Sequence, residues 1–356
     1  MTLVIRERRH KQALRLSLPK PTIPSSSSSS SSSDITHKAH MPALLPSPSS
    51  HVDTSPGIIK NLLDLEKLVV LGHGNGGTVY KVYHKKNKSF YALKVLHFNQ
   101  NAIGIRQPAT LEAEILKRVD SPYIVRCHAV FDNGTCGETD NGGGLSFVME
   151  YMKGGSLHDV LREHRRLPED VISVLAKRVL EGLNYLHGMH IVHRDIKPSN
   201  LLVNDKGEVK IADFGVSHVV EGRFDRNDSN AGTCAYMSPE RVDPERWGGE
   251  NADEFAGDVW SMGVVMLECL LGYFPLIGPG QRPDWATLMC AICFGEKLDM
   301  PKKASLEFQN FVERCLEKDW RKRATVLELL HHPFVRRNCC CSSKGLGDYV
   351  LWREVH

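Results

Sequence analysis

Short runs of the kind that form β-strands begin at residue 65. Leu68–Leu71, Thr78–Tyr83 and Tyr91–Val95 are rich in β-branched and aromatic residues and are bounded by glycines and polar residues. The pattern changes downstream, where Pro168–Met189 places apolar residues at helical spacings. Phe308–Val335 has the same helical character, with a stop signal at Pro333. The sequence therefore predicts an α+β protein with a β-rich first part and a mainly helical second part.

The first 64 residues show no such pattern. Nine consecutive serines fill Ser25–Ser33, and a serine run buries too little apolar surface to order a chain, so residues 1–64 are predicted to be disordered. Residues 1–20 hold six Lys and Arg against one Glu, and leucines alternate over Leu14–Leu18. This segment suits a partner with an acidic patch beside apolar pockets. A transit peptide or a solvated basic tail is the alternative.

Composition narrows the classes of protein further. The chain has 356 residues and a net charge of +3, which gives no indication of a nucleic-acid surface. No run approaches the roughly 18 apolar residues that span a bilayer, so no membrane contact is predicted. The ten cysteines are irregularly spaced, which is not typical of a disulfide framework. A reducing compartment, cytoplasmic or nuclear, is therefore predicted. Cys290 and Cys293 are predicted to be buried thiols and not zinc ligands.

A glycine-rich turn, Gly72–Gly77, connects the first two predicted strands. A dinucleotide-binding turn leads into a helix and a Walker loop ends in Gly-Lys-Ser/Thr, and neither feature is present. A glycine-rich hairpin instead offers bare backbone that can cover phosphate groups. Lys94 lies in the strand that follows. A lysine in an apolar strand is, on its own, more often solvent-facing than a phosphate ligand, so both interpretations stay open from this strand alone.

Two carboxylates flank a small hairpin within His193–Gly215. Asp195 lies on the loop before the hairpin and Asp213 on the loop after it, with a turn at Asn204–Gly207 between two apolar runs. Phosphoryl transfer needs two such groups, because one carboxylate accepts a hydroxyl proton while another holds a metal against the phosphates.

The runs His193–Asn200 and Asp213–Gly215, together with the glycine-rich turn and Lys94, resemble the catalytic core of a protein kinase. The resemblance implies a bilobal fold with a β-rich N-lobe at residues 65–150 and a mainly helical C-lobe at residues 151–335. Residues 336–356 would form a C-terminal tail. ATP and Mg²⁺ would bind in the cleft between the lobes.

The resemblance also assigns catalytic roles. Asp195 would orient the acceptor hydroxyl, and Lys197 would neutralise charge on the moving γ-phosphoryl group. Lys94 would bind the α- and β-phosphates and pair with a glutamate of a helix predicted at residues 109–119, with Pro108 near its start. Glu112 and Glu114 both lie on that helix, and alignment with the kinase pattern selects Glu112. Asn200 and Asp213 would hold Mg²⁺.

The ATP-binding residues follow from the same resemblance. Met149 would guard the back of the pocket, and the backbone of Glu150 and Met152 would bind the edge of the base. The full set implied is Leu71, Gly72, Gly74, Gly77, Val79, Ala92, Lys94, Met149, Glu150, Met152, Asn200 and Asp213. Two further residue roles are structural: Asp258 would steady the catalytic loop, and Glu240 would pair with Arg323.

Three stretches narrow the resemblance to MAP kinase kinases, particularly the plant type. They are Gly74–Gly77, Gly232–Arg241 and Gly280–Leu288. This family phosphorylates threonine and tyrosine in the activation loop of a MAP kinase and is itself activated by an upstream MAP kinase kinase kinase. By the same resemblance, the segment Arg6–Leu18 is similar to the peptide by which these enzymes dock their MAP kinase.

One position departs from the family pattern. Plant members carry two phosphorylated hydroxyls in the activation segment, and here Arg223 stands at the first position while Ser229 keeps the second. Arginine cannot accept phosphate, so we expect gating by Ser229 alone or partial activity without phosphorylation. Two alternative functions remain: a catalytically weak scaffold that binds a MAP kinase, and a serine/threonine kinase with other substrates.

Overall fold

The computed structural model describes residues 59–74, 77–97, 103–132, 144–219, 234–248, 252–278, 284–295, 300–337 and 346–351. The predicted docking segment Arg6–Leu18, the serine run, Arg223 and Ser229 lie outside these residues. Within the described parts of the chain, no helix is both long enough and apolar enough to cross a bilayer.

The N-terminal lobe is built on one antiparallel sheet with the strand order β1-β2-β3-β5-β4. Its strands are β1 (Leu65–Gly74), β2 (Gly77–His84), β3 (Ser89–His97), β4 (Cys127–Asp132) and β5 (Gly144–Glu150). Strand β3 lies between β2 and β5, and it pairs Lys94 with Val79 on one side and with Phe147 on the other. A centrally placed strand therefore carries the predicted phosphate-binding lysine.

The one long helix of this lobe, α1 (Ile103–Arg118), begins earlier than predicted. Proline favours the first turn of a helix, which led to a predicted start near Pro108, but Pro108 lies in its sixth position. The later turns bury Ala109, Ala113 and Leu116 in the main core. This packing offsets the backbone hydrogen bond that an interior proline removes.

The N-terminal lobe also extends six residues before the predicted boundary at residue 65. Ile59 is 3% exposed and packs in a small cluster with Val82, Tyr91 and Val148. A 3-10 helix follows at Leu62–Asp64, and the side chain of Asn61 caps it by accepting from the Leu63 backbone N–H.

The C-terminal lobe is mainly helical. Its short strands are β6 (Ile191–Val192), β7 (Leu201–Val203), β8 (Val209–Ile211) and β9 (His218–Val219). Its helices are α2 (Leu157–His164), α3 (Glu169–Gly188), α4 (Pro239–Val242), α5 (Pro244–Trp247), α6 (Glu254–Leu271), α7 (Trp285–Met289), α8 (Leu306–Cys315), α9 (Val326–Leu330), α10 (Pro333–Arg336) and α11 (Leu346–Leu351). A turn of π-helix at Cys290–Phe294 follows α7 directly.

Helix α6 is the centre of the C-terminal lobe. Thirteen of its residues are buried, and it packs against both α3 and α8. The predicted helical stretch Phe308–Val335 is in fact three helices, because Thr325 and His332 cap new ones. Pro333 starts α10 instead of ending a helix, which is the position where the missing N–H of proline costs least.

The last helix, α11, packs back onto the domain. Leu346 is 2% exposed and belongs to the main core. His164 of α2 contacts the Tyr349 carbonyl oxygen through Nε2 at 2.8 Å, and the two rings stack edge to face. Gly207, in the β7–β8 turn, has a φ of +75°, and a Cβ there would lie 2.4 Å from the Gly347 nitrogen. Glycine is therefore required at position 207 both by its backbone conformation and by close contact with α11.

Candidate functional site

A cavity of about 690 Å³ lies where β1–β5 meet α2 and the β7–β8 hairpin. Every predicted ATP-binding residue lines it except Gly74 and Gly77. The predicted catalytic residues Lys197 and Glu112 also line it, whereas Asp195 does not. The structure thus brings together predicted residues from four separate stretches of the chain.

Lys94 and Glu112 form a buried ion pair at one side of this cavity. Lys94 Nζ lies 2.6 Å from Glu112 Oε1, and the two residues are 5% and 2% exposed. Glu114, two residues further along α1, is exposed. Residues two apart on a helix point in different directions, so only one of the two glutamates reaches the lysine.

Asp213 provides a second carboxylate for the same lysine, with Oδ1 2.9 Å from Lys94 Nζ. Burial by itself lowers the pKa of Lys94, but the charges of Asp213 and Glu112 outweigh burial and raise the pKa above its ordinary value. Burial likewise raises the pKa of Asp213, yet the Lys94 charge and hydrogen bond bring it below its usual range. Burial raises the pKa of Glu112, and the charge of Lys94 only partly offsets that effect. The directions for Lys94 and Asp213 favour an ammonium group beside the Asp213 carboxylate.

Asp195 lies on the loop that follows β6 and is buried. Its carboxylate contacts Lys197 Nζ at 2.7 Å and accepts a hydrogen bond of 2.9 Å from Asn200 Nδ2. Asn200 Nδ2 also donates to the Asp195 backbone oxygen at 2.9 Å. A 3-10 helix at Pro198–Asn200 turns the chain so that the asparagine reaches back to the aspartate. The spacing of five residues seen in the sequence therefore corresponds to direct contact.

Asp258 anchors this catalytic loop to α6, as predicted. It is fully buried, and its carboxylate accepts the backbone N–H groups of His193 at 2.9 Å and of Arg194 at 2.8 Å. His187 contacts the same carboxylate at 2.9 Å. Burial alone raises the pKa of Asp258, but these hydrogen bonds and the nearby histidines lower it below its ordinary value.

Two further sets of contacts fix the chain at Tyr236 and Glu240. Arg323 donates to both oxygens of Glu240, at 2.7 and 2.9 Å, which is the predicted pair. The Tyr236 hydroxyl donates to Glu268 at 2.7 Å, and Ser261 Oγ donates to the Tyr236 carbonyl oxygen at 2.8 Å. Burial raises the pKa of Glu268, and the hydrogen bond from Tyr236 only partly offsets that effect.

The hinge between the lobes contains an ion pair that the sequence did not reveal. Lys210 Nζ of β8 lies 2.8 Å from both carboxylate oxygens of Glu150, at the end of β5. The Glu150 backbone N–H donates to the Arg126 carbonyl oxygen at 2.8 Å. Lys210 lies between the buried residues Val209 and Ile211, so its side chain points to the opposite face of the strand. This alternation is visible in the sequence, but it does not identify Glu150 as the partner.

Several other lining residues were also missed. Val125, Leu116, Leu202 and Ala212 line the cavity with apolar side chains or backbone. Leu202 lies between buried Leu201 and Val203, so its opposite orientation was a usable signal. Ser156 and Asp159 line the rim and form the capping box of α2.

Asn200 and Asp213, the predicted metal ligands, both line the cavity. Each has a side-chain oxygen, and oxygen is the ligand atom that Mg²⁺ prefers. Because Asn200 uses its amide nitrogen toward Asp195, its amide oxygen is the atom suited to a metal. The donor set therefore fits a hard divalent cation. In the described residues no cluster of three or more His, Cys, Asp or Glu side chains forms a site complete in itself.

The cysteine prediction was partly wrong. Cys293 is buried, but Cys290 is exposed at the junction of α7 and the π-helical turn. Only two residues separate them, yet one side chain is exposed to solvent and the other lies in the core.

Comparison with known proteins agrees with this geometry. The family model described as "Protein kinase domain" matches residues 65–335. Mitogen-activated protein kinase kinase 10 of Arabidopsis thaliana is 54% identical over 336 residues, which cover 94% of this chain and 99% of that relative. Mitogen-activated protein kinase kinase 9 of the same plant is 50% identical, with coverage of 94% and 99%. Mitogen-activated protein kinase kinase 7 is 50% identical over 275 residues, 77% of this chain and 86% of that relative.

Proposed function

Because this chain belongs to the MAP kinase kinases of the protein kinase family, we propose that it phosphorylates threonine and tyrosine in the activation loop of a MAP kinase. Protein kinases use ATP and a divalent metal, and we propose Mg²⁺ as that metal here. The observation that carries the proposal is the Lys94–Glu112–Asp213 cluster lining the same cavity as Asn200 and Lys197.

In the proposed mechanism each residue of the cavity has a separate role. Lys94, held by Glu112, binds the α- and β-phosphates as a fixed cation. Asp195, oriented by Asn200 and Lys197, accepts the proton of the substrate hydroxyl. Lys197 offsets negative charge on the transferred group. Asn200 and Asp213 would hold Mg²⁺, which would supply positive charge against the phosphates.

The test is phosphorylation of a kinase-dead MAP kinase by the purified full-length chain with ATP and Mg²⁺. We expect phosphate on both threonine and tyrosine, and we expect Asp195→Ala to abolish it. Capture of the MAP kinase without turnover would instead favour a scaffold. Turnover on generic proteins but on no member of a MAP kinase panel would favour a serine/threonine kinase with other substrates.

We also propose that the segment Arg6–Leu18 docks the MAP kinase. Residues 1–64, 65–335 and 336–356 are proposed as the extension, the catalytic domain and the tail, with Ile59 of the extension and Leu346 of the tail packing onto the domain. The basic cluster and alternating leucines support the docking assignment. Deleting residues 1–20 should raise KM for a MAP kinase and leave KM for myelin basic protein unchanged. An equal effect on both substrates would contradict docking.

Regulation by a MAP kinase kinase kinase is proposed to act through Ser229 alone, because Arg223 carries no hydroxyl. Ser229→Ala should remove activation by the upstream kinase, and full activation of that variant would refute this control. We propose a reducing compartment, cytoplasmic or nuclear, on the basis of the irregularly spaced cysteines.

A further inference from the structure

Arg194, the residue directly before the proposed base Asp195, has a carboxylate partner on another element. Its guanidinium group forms an ion pair with Glu254, in the first turn of α6. The two side chains are 19% and 39% exposed, so the pair lies at the edge of the protein and not in its core.

The backbone of Arg194 is held in an unfavourable conformation. Its φ is +66°, in the left-handed region that non-glycine residues avoid. Asp258 accepts its N–H at 2.8 Å, and Arg241 Nη1 donates to its carbonyl oxygen at 2.8 Å. The peptide groups on both sides of the residue are therefore fixed, and Glu254 fixes the side chain.

A second guanidinium group lies next to this pair. Burial lowers the pKa of Arg241, and the charge of Arg194 lowers it further because the two cations repel, while Asp258, Asp195 and Glu240 offset part of this effect. Glu240 also binds Arg323 through both oxygens, and Asp258 binds backbone N–H groups and His187. In the described residues, the carboxylate that forms an ion pair with the Arg194 side chain is that of Glu254.

We propose that Glu254 is a positioning residue, a built-in counter-ion that keeps Arg194 and the adjoining Asp195 in their working geometry without a phosphate group. Kinases commonly order this region by pairing arginine with phosphate on the activation segment. In this chain the first phosphorylation site is replaced by Arg223, whereas the carboxylate of α6 is permanent. The inference rests on the proposed kinase function and concerns its regulation.

The test compares Glu254→Gln with Glu245→Gln in the phosphatase-treated, full-length chain. Glu245 is a matched control, because it is an exposed acid in the first turn of α5. With myelin basic protein as substrate, we expect Glu254→Gln to lower kcat about three- to fivefold, the size of effect a partly exposed ion pair supports. KM for ATP should change by less than about twofold, and Glu245→Gln should match the wild type.

A double variant at Glu254 and Arg194 tests whether Glu254 acts by positioning Arg194 or by a general effect on α6. In an Arg194→Gln background, Glu254→Gln should cause no further loss. With Arg194 present, Glu254→Asp should retain part of the kcat that Glu254→Gln loses. Losses that multiply in the double variant would overturn the inference, since they would show that Glu254 acts through the helix start alone.

Assays of the wild type separate the role of Glu254 from the kinase function. Activity that is absent before phosphorylation and present afterwards overturns the role of Glu254 while leaving the kinase function intact. Absence of activity in both states overturns the kinase function.

Discussion

Replacing Glu112 with glutamine removes one of the two carboxylates that hold the Lys94 ammonium group. The substitution preserves the size of the side chain and its ability to accept a hydrogen bond, so it changes charge and little else. Asp213 remains 2.9 Å from Lys94 Nζ. We therefore expect a folded protein in which Lys94 shifts toward Asp213 and away from the position that suits the α- and β-phosphates.

The structure sets the size of the effect. Glu112 is 2% exposed, and its contact with Lys94 is a hydrogen bond of 2.6 Å between charged groups. Such a bond contributes about 1.5–3 kcal/mol. If that energy is used in the transition state, its loss lowers kcat/KM about 10- to 150-fold. A complete loss of activity is not expected, because Asp213 still keeps the lysine in the cavity.

Steady-state kinetics with varied ATP measure this change, and thermal unfolding checks that the variant is folded. Glu114→Gln is the matched control, since Glu114 lies on the same helix with its side chain exposed. The reasoning fails if Glu112→Gln keeps its kcat/KM within about twofold of the wild type, or if Glu114→Gln is equally damaging.

Three further predictions follow from contacts outside this cluster. Lys210→Met removes the hinge ion pair with Glu150 and should raise KM for ATP about two- to fivefold, the range of a partly exposed pair. Leu346→Ala should lower the free energy of unfolding by about 2–3 kcal/mol in a denaturant titration, because this tail residue is buried in the main core. Glu268→Gln should raise the melting temperature at pH 7, because glutamine still accepts from Tyr236 without placing a charge in a buried position.

The first two of these predictions have matched control variants. Lys206→Met alters an exposed lysine of the same hairpin, and an equal rise in KM there would point to a general charge effect. Leu327→Ala removes a leucine that is 60% exposed, and a loss as large as that of Leu346→Ala would contradict specific packing.

The raised pKa of Glu268 determines how the stability difference between wild type and Glu268→Gln should change with pH. A carboxyl group with a higher pKa in the folded protein binds protons that the unfolded chain releases, so stability falls as pH rises above the ordinary value of 4.5. The advantage of the glutamine variant should therefore shrink as the pH is lowered toward 4.5. An advantage that is constant with pH would rule out the charge as its cause.

Resemblance to kinases predicted the parts of the site that lie on one stretch of chain, and the structure shows why their spacing works. The interval from Asp195 to Asn200 fixes their contact, because a single helical turn joins them. The choice of Glu112 over Glu114 came from resemblance to kinases, and the structure shows its physical basis in the direction of each side chain from α1.

Contacts between distant stretches were harder to predict. Nothing near Lys210 in the sequence identifies Glu150, which lies sixty residues away. Leu346 lies in a polar segment whose sequence gives no sign that this leucine is buried. Its helix packs against Gly207, where a Cβ atom would clash with Gly347, and this contact is visible only in the structure. Pro108 was predicted near a helix start but lies inside α1, and Pro333 was predicted at a helix stop but begins α10. Tertiary packing, which the local sequence does not show, decides where each proline is accommodated.

The attachment of the catalytic loop to Asp258 has a consequence for inactivation by heat. A loop tied to a peripheral element can lose its shape while the domain stays folded, so that activity disappears before the calorimetric transition. Here the loop is tied to helix α6, which has thirteen buried residues. On heating, activity and the folded structure of the C-terminal lobe should therefore be lost at the same midpoint temperature.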